Sequence, residues 1–327
     1  MIGIELTPEH PVDRVVELGT AAEQAGFDTL FTSCHYNNRD PFIVLSQLAR
    51  ETTDIRLGPG VINPYEIHPV RLASTIATLD EASNGRAVYG IGPGDQSTLQ
   101  NLGTADQRGL RSVLEAFRTA RRLWAGERVN HDGTFVARDA GLNYDVNADD
   151  IPVYVGGEGP HMCRMSAKHA DGLLFNGVHP DSVAWAREQV EQGLEDRPDD
   201  RGPFDFAAYA SVSIAEDGAA AREAARPPVA FITAGAPTSV LDRHAIGEER
   251  ASDIGEAISA GAFSEAFQQV TDEMINAFCI AGTPETIERQ LKNVLAYADS
   301  VVVAAPLGPD LDRAIDLAAT ALEQARS

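Results

Sequence analysis

Residues 55–94, IRLGPGVINPYEIHPVRLASTIATLDEASNGRAVYGIGPG, contain the pattern that decides the fold. An apolar run at 55–58 predicts a short buried strand, residues 69–82 predict a helix, and residues 87–91 predict a second strand. An Asn-Gly turn signal separates the helix from the second strand, and a stretch rich in proline and glycine follows the first. A strand, a crossover helix and a second strand of this length predict parallel pairing of the two strands.

The same alternation continues on both sides of this segment and gives eight strand–helix units. Further strands are predicted at residues 2–6, 29–33, 152–155, 173–176, 206–214 and 300–304. Further helices are predicted at residues 11–25, 42–51, 110–125, 160–170, 182–194, 284–297 and 311–324. Eight such units predict an α/β fold, a (β/α)8 TIM barrel rather than a doubly wound sheet.

Two segments exceed what a bare barrel needs. Residues 125–150 hold turn residues and short apolar pairs, which indicate a small excursion after the fourth helix. Residues 217–277 have a mostly helical pattern and are too long for one crossover, so we interpret them as an insertion that caps or flanks the barrel. No short-period repeat and no second core are evident in the pattern. We therefore interpret residues 1–327 as a single domain.

The composition is acidic, which argues against nucleic-acid binding. Asp and Glu number 49 against 26 Lys and Arg, a net charge of -23, and only two of the cations are lysines. Nucleic-acid binding requires a basic surface, which this chain lacks. The acidity fits an ordinary solvated surface or the cytoplasm of a halophile, and the scarcity of lysine favours the halophile. We expect no membrane span and no secretory signal, and three well-separated cysteines fit a reducing cytoplasm.

Polar residues follow the predicted strands, at the end where (β/α)8 barrels carry their active sites. Glu5 ends the first strand and is either the partner of an arginine or a proton donor whose pKa burial would raise. His35 follows the second strand and is either structural or part of a site. Asp95 follows the fourth and either caps a short helix or contacts a ligand. Asn176 follows the sixth.

The glycine-rich stretches do not match a common nucleotide-binding motif. The stretch GIGPG at 90–94 has its third glycine one residue too early for GxGxxG, and no GxxxxGK[ST] occurs. The stretch GGEG at 156–159 precedes a helix predicted to begin near Pro160. It is either a phosphate site at a helix N-terminus or a tight turn that needs positive φ. No HExxH motif and no carboxylate–histidine cluster predicts a metal site.

Several stretches together resemble a known family. The most specific are GPGV at 58–61 and GIGPGD at 90–95. The other matching segments are GIE at 3–5, HYNN at 35–38, NPY at 63–65, ATLDE at 77–81, SNGR at 83–86, VAFI at 229–232, AG at 234–235 and AAPLGP at 304–309. Over nearly its whole length the chain is similar to the methylenetetrahydromethanopterin reductases dependent on coenzyme F420, a branch of the bacterial-luciferase-like barrels.

The resemblance implies an oxidoreductase that transfers a hydride from reduced coenzyme F420 to the methylene carbon of a 5,10-methylene-tetrahydropterin, without a metal. It also implies a non-prolyl cis peptide bond between Gly60 and Val61, which supports one face of the deazaflavin ring, and Glu5 as the acid near the pterin. The matching cofactor-side positions are His35, Gly60, Val61, Asp95, Gly156, Gly157 and Asn176. Members of the family are usually homodimers or homotetramers.

One position departs from the family pattern and keeps other interpretations open. Cys34 stands directly before His35, where the family carries an acidic residue. The departure puts the polar contact of that position in doubt. Two rival interpretations follow, an FMN-dependent luciferase-like monooxygenase and a non-catalytic relative that binds a deazaflavin. The carrier is also open, because methanopterin and folate share the reacting head and differ in the tail.

Overall fold

The computed structural model describes residues 1–104, 109–146 and 151–326, in which strands and helices alternate as predicted. The strands are β1 Ile2–Leu6, β2 Thr29–Thr32, β3 Arg56–Pro59, β4 Tyr89–Ile91, β5 Val129–Asp132, β6 Val136–Ala140, β7 Val153–Gly156, β8 Gly172–Asn176, β9 Asp205–Ile214, β10 Ile280–Gly282 and β11 Ser300–Leu307. The helices are α1 Val12–Ala25, α2 Pro41–Glu51, α3 Pro69–Ala82, α4 Gln96–Asn101, α5 Leu110–Trp124, α6 Pro160–His169, α7 Pro180–Leu194, α8 Gly218–Gly235, α9 Thr238–Arg243, α10 Glu248–Ser259, α11 Phe263–Gln268, α12 Asp272–Phe278, α13 Pro284–Leu295 and α14 Leu311–Arg326.

Local signals in the sequence set where helices begin and end. Helix α2 begins at Pro41, and the Asp40 carboxylate caps it by accepting a hydrogen bond from the backbone N–H of Phe42 at 2.8 Å. Both features suit a helix N-terminus, because proline has no N–H to satisfy and the carboxylate satisfies an orphan donor. Helix α1 ends at Gly26, whose φ of 99° is a left-handed conformation that glycine adopts without strain.

A first compact unit comprises residues 1–175 and 185–207. Within its described part, parallel strands run in the order β1-β2-β3-β4-β7-β8, and β5 and β6 form a separate antiparallel pair. The register places Glu5 beside Phe31, and Phe31 beside Gly58. The rings of Phe31 and Tyr154 meet edge to face with centroids 6.4 Å apart. The sheet of this unit therefore curls, since side chains of β2 and β7 are in contact.

A second compact unit comprises residues 176–184 and the chain from Ala208 onward. It holds most of β9, with which both β10 and β11 pair, and Ile280 lies beside Val212 in the β10–β9 register. Helices α8–α12 occupy the segment interpreted as an insertion. Their buried side chains pack into one apolar cluster, which includes Val229, Ile254 and Met274. The interpretation of the whole chain as one domain stays a prediction.

In the part of the chain that the structure describes, eight parallel strands, each followed by a helix, confirm the predicted (β/α)8 class: β1–β4, β7–β9 and β11. The sequence did not indicate the β5–β6 hairpin inside the excursion at 125–150, nor the three-residue strand β10. Among the described residues, none of the helices combines the length and apolar character needed to cross a membrane.

Candidate active site

The peptide bond between Gly60 and Val61 is cis, as the resemblance implied. Backbone hydrogen bonds on both sides fix this segment at the end of β3. The N–H of Gly60 donates to the carbonyl of Thr32 at 2.8 Å, and the N–H of Ile62 donates to the carbonyl of Gly90 at 3.1 Å. The segment is thus tied both to the end of β2 and to β4.

Two glycines leave room for the side chain of Val61. A Cβ atom at Gly92 would lie 2.5 Å from Val61 Cγ2, and one at Gly156 would lie 2.9 Å from the same atom. Contacts this short are not tolerated, so both positions require glycine as long as valine stands at 61. The glycines of two strand ends therefore pack around one side chain that the resemblance assigns to the cofactor.

A tight turn with positive φ does not explain the glycines at 156 and 157. Neither has a positive φ, and the turn interpretation is wrong for both. The N–H of Gly157 donates to the carbonyl of Leu174 at 3.2 Å, and a Cβ at Gly157 would lie 2.4 Å from Met162 Cγ. Close packing therefore explains both glycines.

Helix α6 begins immediately after this stretch and has no side-chain cap. Gly159 is the N-cap residue, and no atom of the described residues lies within 4 Å of the position where its Cβ would be. Backbone N–H groups of an uncapped first turn can bind a phosphate. The phosphate interpretation of this stretch is compatible with the geometry and stays a prediction.

Glu5 is a buried carboxylic acid on β1, with only 3% of its surface exposed. The Thr7 hydroxyl donates a hydrogen bond of 3.0 Å to Glu5 Oε1. Glu5 also interacts electrostatically with Cys34, which follows the adjacent strand β2. A buried carboxyl at the carboxyl end of a parallel strand is suitably placed for proton transfer to a ligand.

Cys34 lies between the end of β2 and the cis peptide bond. Its thiol donates to the carbonyl of Thr32 at 3.5 Å and accepts a hydrogen bond from the backbone of Gly60. Burial raises the pKa of this thiol well above its ordinary value. Nearby carboxylates raise it further, and these are Glu66, Asp40 and Glu5. Cys34 is therefore a neutral thiol at neutral pH.

His35 and Asp95 are exposed residues on the loops that follow β2 and β4. The carbonyl of His35 accepts a hydrogen bond of 3.0 Å from the N–H of Asn38 and closes a turn. The Asp95 carboxylate accepts a hydrogen bond of 2.9 Å from the N–H of Thr98. Asp95 is thus the N-cap of α4, which confirms the capping interpretation, while its contact with a cofactor stays a prediction.

The first unit brings six of the candidate positions to the carboxyl ends of its parallel strands, namely Glu5, His35, Gly60, Val61, Asp95 and Gly156. Gly157 follows directly after β7. Asn176 ends β8, is exposed, and belongs to the second unit.

Sequence reasoning missed the role of Asn63, which is 2% exposed. Its side-chain oxygen accepts hydrogen bonds from the backbone N–H groups of Tyr65 at 3.0 Å and Glu66 at 3.2 Å, and its amide nitrogen donates to the Glu66 carboxylate. Asn63 thereby shapes the loop after β3. The Asn-Pro dipeptide, a turn signal, was the available indication.

A groove of about 570 Å³ lies elsewhere on the first unit, along α3 and β6, and none of the predicted site residues lines it. Its lining includes His68, Arg71, Ser74, Leu142 and Tyr144. The groove therefore gives no support to the site argued above.

Comparisons with known proteins bear on this arrangement. The family model described as luciferase-like monooxygenase matches residues 2–302. The chain is 39% identical over 317 residues to the 5,10-methylenetetrahydromethanopterin reductase of Methanolobus tindarius, covering 96% of this chain and 97% of that one. It is also 39% identical over 320 residues to the reductase of the same name from Archaeoglobus fulgidus, covering 96% of each.

A solved structure agrees with these relatives. The coenzyme F420 dependent tetrahydromethanopterin reductase from Methanopyrus kandleri superposes with a TM-score of 0.89 at 35% identity, covering 98% of both chains. The chain therefore belongs to the luciferase-like monooxygenase family and, within it, to the 5,10-methylenetetrahydromethanopterin reductases.

Proposed function

We propose that this protein is a coenzyme F420-dependent 5,10-methylenetetrahydromethanopterin reductase, an oxidoreductase that reduces the methylene bridge of its substrate to a methyl group. One observation carries the proposal: relatives that bear this name are 39% identical over 96% of the chain. A non-catalytic relative and an FMN monooxygenase are not favoured, because reductases account for the full-length relatives cited above. The methanopterin carrier is preferred to folate for the same reason.

The residues at the strand ends fit a deazaflavin with a phosphate-bearing tail. Gly60 and Val61 are both partly exposed and offer an apolar surface to one face of the ring. The uncapped first turn of α6 and the open space at Gly159 suit a phosphate. His35, Asp95, Gly156, Gly157 and Asn176 are the further positions proposed to hold the cofactor. When bound, reduced coenzyme F420 supplies the hydride.

Glu5 is the proposed proton donor. One carbon of the substrate bridges N5 and N10 in a five-membered ring, and protonation of N10 opens this ring to leave an iminium carbon on N5. That carbon accepts the hydride. The Thr7 hydroxyl donates a hydrogen bond to Glu5 Oε1 and thereby orients the carboxyl group. General acid catalysis of this kind contributes about 10²–10⁴ in rate.

An anaerobic assay tests the proposal. Reduced coenzyme F420 is mixed with methylene-tetrahydromethanopterin, and its oxidation is followed by absorbance. Oxidation that depends on the pterin supports the reductase. Deazaflavin binding without turnover of a methylene-pterin contradicts it, and so does a separate aerobic assay in which the protein speeds the consumption of oxygen by reduced FMN. A parallel assay with methylene-tetrahydrofolate compares the KM values of the two carriers.

The role of Glu5 is tested by Glu5→Gln. We expect kcat to fall by about 10²–10⁴ with little change in the Kd of the cofactor. Glu9→Gln is the matched control, because Glu9 is an exposed carboxylate of the same N-terminal segment. Normal turnover by Glu5→Gln with unchanged binding would remove the proton-donor role.

We also propose a homodimeric or homotetrameric assembly and a cytoplasmic location. Helices α8–α12 give the second unit a large helical surface that is suited to a subunit contact. Multi-angle light scattering in high salt measures the assembly, and a monomer would contradict it.

A further inference from the structure

Basic side chains gather around the carboxyl end of helix α6, within the first unit. This group, the His169 cluster, consists of Arg118 and Arg121 on α5, Lys168 and His169 at the end of α6, and Arg201 in the segment between α7 and β9. Helix α6 ends at His169, and β8 begins at Gly172. The cluster therefore lies at the amino end of β8, whereas the candidate active site lies at the carboxyl ends of the strands.

Two arginines at this place have structural partners. Arg121 donates hydrogen bonds of 2.7 Å to the carbonyl of His169 and of 2.6 Å to the Asp171 carboxylate. Arg197, which follows α7, donates a hydrogen bond of 2.7 Å to the carbonyl of Ala170. These bonds satisfy backbone carbonyls at the end of α6, where a positive charge also favours the helix dipole. Capping of α6 therefore explains Arg121 and Arg197, but not the other cations of the cluster.

Arg118 and Arg201 have no carboxylate partner among the described residues. Arg118 Nη2 lies 3.3 Å from both ring nitrogens of His169. The two nitrogens of an imidazole point in diverging directions, so a donor equidistant from both is poorly aligned with either. Asp199 and Asp200 precede Arg201 in the chain, but both are exposed and neither forms an ion pair with it. Two guanidinium groups thus keep most of their donors available.

The charges of the cluster act on one imidazole. Burial lowers the pKa of His169, and the positive charges of Arg118, Lys168, Arg201 and Arg121 lower it further, to about 4. His169 is therefore neutral at neutral pH and carries one N–H donor. The chain has 49 Asp and Glu against 26 Lys and Arg, so a gathering of cations is unusual in it. Their mutual repulsion would be relieved by a bound anion.

We propose that Arg118, His169 and Arg201 bind a phosphate group at the amino end of β8. Two guanidinium groups without a carboxylate partner match the nearly two negative charges of a phosphate, and their planar forks of N–H donors suit its oxygens. The neutral imidazole supplies one more donor. Lys168, whose ion pair with Asp196 at 3.1 Å is on the surface, adds attraction at longer range. This second site does not depend on the proposed reductase activity.

Calorimetry with inorganic phosphate at constant ionic strength tests the site. Arg118→Gln and Arg201→Gln should each raise the Kd of phosphate about tenfold or more, because each removes charge-assisted hydrogen bonds. Arg118→Lys keeps the charge and should recover part of the affinity. Arg289→Gln is the matched control, since it removes an exposed arginine of α13 outside the cluster and should leave the Kd within about twofold.

The pKa of His169 gives a second readout in the wild-type protein, which no variant can disturb by misfolding. A bound anion favours the charged imidazolium, so saturating phosphate should raise this pKa above its value in sodium chloride of the same ionic strength. NMR of the imidazole nitrogens follows the titration, and His169→Gln assigns the signal. A cluster with a merely structural role would show the same pKa in both salts.

A comparison with adenosine monophosphate distinguishes two sources of the phosphate group. Tighter binding of the nucleotide than of inorganic phosphate, with the same loss in Arg118→Gln and Arg201→Gln, indicates a phosphorylated small molecule. Binding no tighter than that of inorganic phosphate indicates the free ion. Undetectable binding of both by the wild type, an unchanged Kd in both arginine variants, or an equal pKa of His169 in the two salts would overturn the proposal.

Discussion

Gly92→Ala should destabilise the protein through a collision with Val61. The added Cβ would lie 2.5 Å from Val61 Cγ2 and 3.3 Å from the carbonyl oxygen of Gly156. Valine is stiff about χ1, so its side chain cannot turn aside at little cost. The backbone has little freedom either, because the N–H of Gly92 donates to the carbonyl of Ile62 at 2.9 Å.

The size of the effect follows from overpacking. Adding one methyl group to a well-packed region costs about 1–3 kcal/mol, and the two short contacts place Gly92→Ala near the middle, at about 2 kcal/mol. Val61→Ala removes both Cγ atoms and hence the steric collision with the Cβ added at position 92. In the double variant the two effects should not add, and an interaction energy of about 1–2 kcal/mol should appear.

Urea unfolding followed by circular dichroism measures all three variants, with Gly255→Ala as the matched control. A Cβ at Gly255 meets only Ala234 Cβ, at 3.6 Å, and the residue lies inside α10. The free energy of unfolding of Gly255→Ala should therefore rise by about 0.5–1 kcal/mol, because alanine has less backbone freedom than glycine in the unfolded chain. Unfolding of Gly92→Ala at the wild-type urea concentration, or no relief by Val61→Ala, would refute the reasoning about the two glycines.

Three further predictions concern stability. The hydroxyl of Tyr89 is buried and has no hydrogen-bond partner among the described residues, so Tyr89→Phe should keep the free energy of unfolding or raise it by about 1 kcal/mol. Trp124→Phe should instead lower it, because it breaks the 2.9 Å hydrogen bond from Trp124 Nε1 to the carbonyl of Ala73; urea unfolding measures both variants. Burial raises the pKa of Glu115, but hydrogen bonds from Thr134, Arg111 and His131 outweigh it and bring the pKa to about 2. The stabilisation by Glu115 is therefore complete above about pH 4.5 and lost as the pH falls toward about 2. In Glu115→Gln, the free energy of unfolding should lose up to about 3 kcal/mol less than in the wild type over this pH range. An equal fall in the two proteins would contradict this prediction. If the excess of 23 negative charges is a halophilic adaptation, molar salt should raise the melting temperature above that in dilute buffer, and equal temperatures would contradict it.

Much of the fold could be predicted because parallel strands buried on both faces appear as short continuous apolar runs. Strand β1 was predicted at its observed bounds, and so was α3. The boundaries of β3 moved by one residue, since the apolar run does not reveal where ladder hydrogen bonds begin. The order of strands and helices along the chain was sufficient to predict the (β/α)8 class.

The β5–β6 hairpin could not be predicted because its strands lack a continuous apolar face. Strand β5 has the sequence VNHD and β6 has VARDA, and most of their side chains are exposed. Partners outside the hairpin hold it instead. The Glu115 carboxylate on α5 accepts hydrogen bonds from Thr134 N–H at 2.8 Å and from the Thr134 hydroxyl at 2.9 Å. Such long-range contacts leave no periodic signal in the sequence.

In the candidate site, too, the sequence pattern located residues but did not show which contacts they make. The sequence located Gly156, but only the fold shows that Val61, 95 positions earlier, excludes a side chain there. Cys34 is the clearer case. A neutral thiol keeps the hydrogen bond from Gly60 and adds no charge beside three carboxylates, whereas an acidic residue would be a fourth. Cys34 therefore contacts the cis segment without adding negative charge near Glu5, and the departure is compatible with an active site.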